Sequence, residues 1–383
     1  MRICVIYDCL YPYTVGGGER WYRNVAERMA QEGHDVTYLT LRQWERGERG
    51  EAGEGVRVLA VGPRMALYSE SGRRRILPPL VFGLGVLWHL ARHGRRYDVV
   101  DTCSFPYFSL LAAALLRPLF RYELVVDWFE VWSGSYWREY LGRAGRIGLL
   151  VQMLCARVPQ RAHCFSELHA ERLRAEGLRG PVTVLRGLLA DPRPPAEPRP
   201  AVPLVLFAGR LIPEKRVALA VAAIALAAER IEGLRGLILG DGPERQAVQA
   251  AIAEHGAGEI VQAGGWASAE ELEARMGEAM CLLLTSSREG YGLVVVEAAM
   301  QGTPSVVVAG PDNAATELIV EGINGTVAPE PEAAAVAEAI VRVHAAGFAM
   351  RRSTAAWFAE NATSLSLESS LRKVLAPYES ARP

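Results

Sequence analysis

Lysine is nearly missing from this chain: only Lys215 and Lys373 stand among 42 basic residues in a sequence of 383. Arginine carries the rest of the positive charge, so each surviving lysine is a candidate for a specific task. Cysteine is sparse and unpatterned. The six thiols (Cys4, Cys9, Cys103, Cys155, Cys164, Cys281) form no CxxC pair and no His/Cys metal spacing. That excludes a disulfide framework and a zinc ribbon, and leaves reduced thiols in apolar runs. Long hydrophobic runs are missing too. The longest, "ILPPLVFGLGVLWHLA" from Ile76, is short for a bilayer span and contains a Pro-Pro pair. The opening "MRICVIYDCL" is apolar over too few residues for a secretory signal. These absences give the expectation of a cytoplasmic protein with no membrane-crossing helix.

Nor does one sign of charge dominate, for the net charge is −1. The halves differ, however. Residues 1–190 hold 26 Lys+Arg against 19 Asp+Glu, and the remainder 16 against 24. A basic first half suits an acidic partner such as a phosphorylated substrate or an anionic membrane surface. It suits equally a chance difference between solvated faces. Nucleic acid is not an expected partner, and oligomeric state is left open.

What is present is strand–helix alternation. "RICVIYD", "HDVTYLTL", "YDVVDTCS", "YELVVDWFE" and "RAHCFS" read as strands, each followed by a turn and a helical stretch. That alternation predicts a doubly wound parallel α/β sheet. "DPRPPAEPRPAVP", residues 191–203, packs six prolines into thirteen positions and reads as a linker. A second series follows it: "PLVLFAGR", "LRGLILGDGP", "EIVQAGG", "MCLLLTSS" and "TPSVVVAG". The predicted organisation is two Rossmann-like domains, 1–190 and 204–360, facing a central cleft. A terminal helix at 361–383 could cross back to the first. Parallel sheets bind ligands beyond the carboxyl ends of their strands, so the loops there carry the candidate residues.

Four motifs fall on such loops. In "TVGGGER", Gly16, Gly17 and Gly18 are contiguous, which disfavours a GxGxxG fingerprint but allows close backbone approach to an anion at a helix start. A flexible turn explains it equally. In "AGRLIPEKR", Arg210 ends a strand and Lys215 opens the next helix, so both cations can converge on one phosphate. "LGDGPER" reads as a structural turn or a wall of the cleft. In "SSREGYGLVVVEAAMQG", Glu289 precedes a glycine-rich turn, and Glu297 follows after seven intervening residues, in an apolar segment expected to be buried. A buried carboxylate needs a partner, which a diol or a cation supplies.

Taken in order, "GGGER", "GRLIPEKR", "LGDGPER", "SSREGYGLVVVEAAMQGTPSVVV" and "EGINGTV" resemble the retaining, nucleotide-sugar-dependent glycosyltransferases of family 4, which have the GT-B fold. The resemblance covers nearly the whole chain. It implies that Glu289 contacts the hydroxyls of the donor sugar and Glu297 the ribose. It implies that Arg210 and Lys215 hold the diphosphate, helped by backbone N–H groups of Gly290, Tyr291, Gly292 and Leu293 and of Gly17 and Gly18. The base is expected against Gly265 and Trp266. It implies no cofactor and no metal, with a nucleotide-diphosphate sugar as donor and a hydroxyl acceptor. The chain has no Asp-x-Asp, the pair that metal-dependent GT-A enzymes use.

Two departures affect the first domain. Where family members place a histidine beside an acid, this chain reads "VVDWFEVW", with Phe129 next to Glu130. Asp127 or Glu130 is then the candidate for positioning the acceptor. Arg186 replaces the usual asparagine before the linker. The stretch "SGRRRILPPLVFGLGVLWHLARHGRRYD" reads either as a helix on anionic lipid or as a buried helix with a basic exposed face. The aromatics of "DWFEVWSGSYWREY" read either as a sugar-stacking surface or as a packed cluster. A catalytically silent GT-B subunit and a nucleotide-sugar epimerase remain as alternatives.

Overall fold

The computed structural model describes residues 1–14, 16–45, 47–67, 75–195 and 197–379. Val15 of the glycine motif, and Ser71 to Arg74 of the first arginine cluster, lie outside the described residues. The chain divides into two compact units, Met1–Leu185 with the residues from Ser370 onward, and Arg186–Ser369. The division precedes the proline-rich stretch because the chain just before it is already tied to the second unit. The Leu189 N–H donates to the Leu365 carbonyl at 3.1 Å, and Leu367 N–H donates back to Leu189 at 2.8 Å.

In the first unit the chain runs β1 (Arg2–Ile6), α1 (Gly17–Gln31), β2 (Asp35–Leu41), β3 (Val56–Gly62), α2 (Leu77–His93) and β4 (Val99–Cys103). It continues α3 (Phe108–Phe120), β5 (Glu123–Trp128), α4 (Gly134–Leu141), α5 (Gly145–Ala156), β6 (Arg161–Cys164), α6 (Glu167–Ala175) and β7 (Val182–Val184). The strands form one parallel sheet in the order β3-β2-β1-β4-β5-β6-β7. Right-handed crossovers put α1 on one face and α2, α3 and α5 on the other, because the chain moves across the sheet in opposite directions for the two sets. Side chains agree. Asp127 of β5 meets Trp21 of α1, whereas Thr102, on the alternate face of β4, meets Ser109 of α3 at 3.2 Å.

The second unit runs β8 (Val202–Ala208), α7 (Val217–Ala228), β9 (Arg235–Leu239), α8 (Arg245–Glu254), β10 (Val261–Gly265), α9 (Ala269–Glu278) and β11 (Ala279–Leu284). It continues β12 (Arg288–Glu289), α10 (Leu293–Met300), β13 (Ser305–Val308), β14 (Asp312–Asn313), β15 (Gly325–Ala328) and α11 (Ala333–Leu365), followed by α12 (Leu367–Glu379). Its main sheet has the order β10-β9-β8-β11-β13-β15, all parallel. Each sheet is covered on both faces, so its central strands are near-continuous Val, Ile and Leu rather than alternating.

The C-terminal helix expected from the sequence is two helices, and α11 is itself bent at Gly347 (φ 56°). Although α11 has the length and mean hydropathy of a bilayer span, Val336, Ile340, Val343 and Met350 from it belong to the core of the second unit. The end of α12 returns to the first unit, where buried Tyr378 meets His34 edge-on at 6.3 Å.

Aromatic residues around Trp132 pack on one another. Phe105, Tyr136, Trp137 and Tyr140 all lie within 5.2 Å of its ring, ring centre to ring centre. That is the packed cluster rather than an open stacking surface. Buried Gln152 serves it, accepting from Tyr107 Oη, Trp132 N and Trp137 Nε1 at 3.0–3.1 Å and donating to Glu176 at 2.7 Å. Burial pushes the Glu176 carboxyl up to about 7, against the opposing pull of Gln152, Arg172 and Arg157. A carboxyl whose value is raised on folding stabilises the fold below its unfolded value and loses that contribution as pH rises through the folded one. Glu176→Gln should therefore melt with the wild type near pH 4.5 and above it at pH 8, in thermal scans across that range. A constant difference would contradict this assignment.

Candidate functional site

In the second sheet the chain reverses direction between β8 and β11, and a doubly wound sheet opens a crevice at such a reversal. Two loops meet there. After β8 come Gly209 and Arg210, then a short 3-10 turn, Pro213–Lys215. Lys215 therefore ends a turn rather than opening the helix, and α7 starts two residues later, after Arg216 in a left-handed conformation (φ 48°). After β11 come Thr285, Ser286 and Ser287. The loops are joined by hydrogen bonds: Thr285 Oγ1 donates to the Lys215 carbonyl at 2.7 Å, and Ser287 N–H to the Glu214 carbonyl at 2.8 Å.

This joining fixes where the charges stand. Lys215 Nζ donates to Glu289 Oε1, and Ser286 Oγ donates to the same oxygen at 2.6 Å. Both side chains of the ion pair are largely withdrawn from water. Beneath them Arg288 approaches Glu214 at 3.6 Å. Burial pulls the Arg288 guanidinium down to about 10, while Glu289 and Asp312 pull the other way. The short β12 is held by pairing Arg288 with Asp312 and Glu289 with Asn313 of β14. Asn313 Nδ2 also donates to the Ser286 and Val308 carbonyls, at 3.1 and 2.8 Å.

Gly292 (φ 97°) immediately precedes α10, and no side chain among the described residues caps the helix start. Any Cβ at this position would overlap Ala315. Val295 N–H already donates to the Gly292 carbonyl at 2.9 Å, which leaves the N–H groups of Leu293 and Val294, at the positive end of the helix dipole, without a partner among the described residues. Tyr291 points away from them. Its ring is buried, its hydroxyl donates to the Arg186 carbonyl, and burial raises its pKa.

A pocket of about 370 Å³ lies beside this pair, lined by Gly209, Arg210, Asp241, Trp266, Val294 and Glu297 among others. Glu297 is half-buried and faces the pocket, because α10 turns its apolar residues Val295, Val296, Ala298 and Ala299 into the core and leaves this position outward. The expectation of a carboxylate enclosed in apolar surroundings is corrected accordingly. The "LGDGP" turn is both structural and a wall of the pocket. Gly240 (φ 149°) packs so close to the Gly209 carbonyl that a Cβ would overlap it, and Gly240 and Asp241 line the cavity. Gly265 ends β10 and places Trp266, 78% exposed, on the rim.

The second unit thus brings Arg210, Trp266 and Glu297 to one pocket, with Lys215, Glu289 and the start of α10 on neighbouring loops. The residues that orient them, Thr285, Ser286, Glu214 and Asn313, were not singled out from the sequence. The signal for two of them was the "TSS" run at the end of an apolar strand.

The first-unit candidates are more dispersed. Gly17 faces open space at the start of α1, while Gly18 packs against Tyr7 and Phe129. Phe129 stacks on Phe165 at 4.7 Å. Asp127 is corrected as an acceptor-positioning residue. It is 1% exposed, accepting from Trp21 Nε1 at 2.6 Å and paired with His163 Nδ1 at 2.9 Å. Its neighbour Asp101 has no hydrogen-bond partner among the described residues on either carboxylate oxygen, and burial followed by the Asp127 charge raises its pKa well above the ordinary value. Glu130 is half-buried and accepts from Trp132 Nε1 at 2.6 Å.

Comparison with known proteins matches this architecture. Residues 16–187 match the family model of the glycosyl transferase 4-like domain, and residues 193–362 that of glycosyl transferases group 1. Both α/β units are glycosyltransferase domains, and the fold is GT-B. Among curated relatives, a 2-deoxystreptamine glucosyltransferase of Streptomyces kanamyceticus is 36% identical over 107 residues, 28% of each chain. An alpha-D-kanosaminyltransferase of the same organism is 30% identical over 141 residues, 37% of this chain and 36% of that one. The matched segments thus span about a third of these relatives. Among solved structures, sucrose-phosphate synthase of Thermosynechococcus elongatus superposes with TM-score 0.79 at 19% identity, covering 99% and 98% of the two chains. Anabaena HepE in complex with UDP and glucose gives 0.71 at 16% identity, covering 99% and 100%.

The conformation at Gly292 generates a direct test. Gly292→Ala should lower unfolding free energy by about 1–3 kcal/mol, the usual cost of a strained backbone position, read from denaturant midpoints. An unchanged midpoint would mean that the turn into α10 does not require glycine.

Proposed function

We propose that the chain is a retaining glycosyltransferase that moves a hexose-type sugar from a nucleotide-diphosphate sugar to a hydroxyl acceptor. The observation that carries this reading is the convergence in the second unit. Arg210 and Glu297 line one pocket, and a second cation, Lys215, a second carboxylate, Glu289, and the uncapped start of α10 stand on the neighbouring loops. A diphosphate needs the two cations and the helix start, and the hydroxyls of a sugar and a ribose suit the carboxylates. The two family matches support the same reaction class. The structure of HepE was solved with UDP and glucose, which supports a donor of this kind.

In this reading the diphosphate takes Lys215 from Glu289 and rests on the first turn of α10, with Arg210 closing over it. Glu289, released, accepts from the hydroxyls of the donor sugar, and Ser286 keeps its carboxylate aimed. Glu297 accepts from the ribose, and Trp266 lies against the base. The bond between the anomeric carbon and the β-phosphate oxygen breaks as the acceptor oxygen adds to the same face. The acceptor's proton passes to the departing phosphate oxygen, and configuration is kept. Preorganised cations and N–H groups stabilise the charge growing on that oxygen. The absence of Asp-x-Asp from the sequence favours a metal-independent version of this step.

For the acceptor side Glu130 is the remaining candidate of the two acids. The loss of histidine at Phe129 gives a catalytically silent subunit as the second reading, in which donor binds without transfer.

Removing a charge-assisted contact costs about 1.5–3 kcal/mol, so Lys215→Ala should weaken diphosphate binding by about tenfold to a hundredfold in protein that still unfolds cooperatively. Calorimetry with UDP, GDP, ADP and dTDP provides the measurement. Undiminished affinity in the variant would overturn the diphosphate site. Glu297→Gln should lose affinity for a ribonucleotide but not for its 2′,3′-dideoxy analogue; equal losses would remove the ribose contact. Nucleotide release with hydroxyl acceptors then separates transfer from silent binding.

A further inference from the structure

The outer face of the first sheet carries an unusual surface. Helices α2, α3 and α5 lie side by side on it. Gly83 of α2 packs against Phe108, and Gly94, just beyond α2, against Phe120, so α2 and α3 run parallel in close contact. On the other side of α3, Tyr107 reaches Gln152 of α5, and Arg117 donates to the Pro159 carbonyl just beyond it.

Each helix buries one stripe and presents another to solvent at helical spacing. On α2 the exposed stripe is Leu77, Leu80, Leu84 and Trp88. On α3 it is Leu111, Leu115 and Leu119, and on α5 it is Ile147, Leu150 and Leu154. With Ile76, these are 11 of the 21 exposed large apolar side chains among the described residues. Scattered exposed leucines need no explanation, but a contiguous apolar face of this kind marks an interaction site.

The charge around the face is one-sided. The 17, 13 and 12 residues of α2, α3 and α5 include no Asp or Glu. Arginines stand at the helix ends instead: Arg75 before α2, Arg92, Arg95 and Arg96 at its close, Arg121 after α3, and Arg143 and Arg146 at the start of α5. Arg92 lies over the Trp88 ring at 3.2 Å. Helix dipoles account for cations at the carboxyl ends. They do not account for cations at the start of α5 or for the missing carboxylates. The expectation of a basic exposed face on α2 is therefore only half met: the middle of the face is apolar, and its borders are basic.

We infer that this face docks peripherally on an anionic phospholipid bilayer. Its leucines and Trp88 would enter the boundary of the acyl chains while the bordering arginines meet lipid phosphates. A second copy fits the surface poorly. A two-fold interface opposes a surface to itself, and here that would set arginine against arginine with no carboxylate on the three helices to pair them. The inference concerns the first unit alone and stands whether or not the donor reading of the second unit holds.

Vesicle flotation of the full chain tests it, using phosphatidylcholine vesicles with and without phosphatidylglycerol. The wild type should float with the anionic vesicles only and detach at high salt. The triple variant Leu84→Glu, Leu115→Glu, Leu150→Glu should lose binding by about tenfold or more. Removing Arg92, Arg95 and Arg96 should cost about fivefold per arginine at low salt. Every position changed in the Leu→Glu set is exposed, so melting curves and nucleotide binding should match the wild type and separate lost docking from lost folding. No flotation of the wild type, or equal flotation of the triple variant, would overturn the inference. So would a concentration-dependent dimer that the triple variant abolishes, since that would make the occupant a second copy.

Discussion

The ion pair between Lys215 and Glu289 holds the second unit's site together. Neither partner sits on a regular element long enough to fix it alone: one ends a 3-10 turn, and the other lies on a two-residue strand. Their meeting depends on the hydrogen bonds that tie Glu214 and Lys215 to Thr285 and Ser287. An ion pair so far withdrawn from water loses hydration on both sides, a cost that the contact between its partners offsets. A phosphate group can replace one partner and a sugar hydroxyl the other. The same pair therefore serves as a structural tie and as a reserve of matched binding groups.

Much of the second unit was legible in the sequence because its signals are local. The order of strands and helices followed from apolar runs and glycine turns, and Arg210, Glu289 and Glu297 stood out as charges at strand ends or within apolar segments. The supporting residues were not legible in the same way. Asn313 acts on Ser286 from 27 residues away, and Glu214 meets Ser287 through its backbone carbonyl, for which side-chain chemistry gives no sign. The burial of Glu297 was overestimated because every other residue of α10 is apolar. Its outward position follows only once α10 is placed against the core.

The first unit illustrates the opposite difficulty. Asp127 looked like a site residue because it stands near Phe129, where the resemblance expects a histidine beside an acid. It lies beneath α1 instead, since its place on β5 sends the side chain toward Trp21 and His163. Asp101, on the same face of the next strand, gave no sequence signal at all. The apolar stripes of α2, α3 and α5 were hidden for a related reason. The stretch of α2 allowed a lipid-facing reading as well as a buried one, and only the alignment of the three helices on one face of the sheet shows which leucines remain outside.

The central claim, that Lys215 is held by Glu289 until a diphosphate takes it, is tested most directly by calorimetric titration of a nucleoside diphosphate into wild type and Glu289→Gln. Without the carboxylate, Lys215 is free of its competitor and Ser286 still has an oxygen to donate to. The account predicts that the variant binds the diphosphate at least as tightly as the wild type while losing sugar transfer. Loss of diphosphate affinity in this variant, with the fold intact, would contradict it.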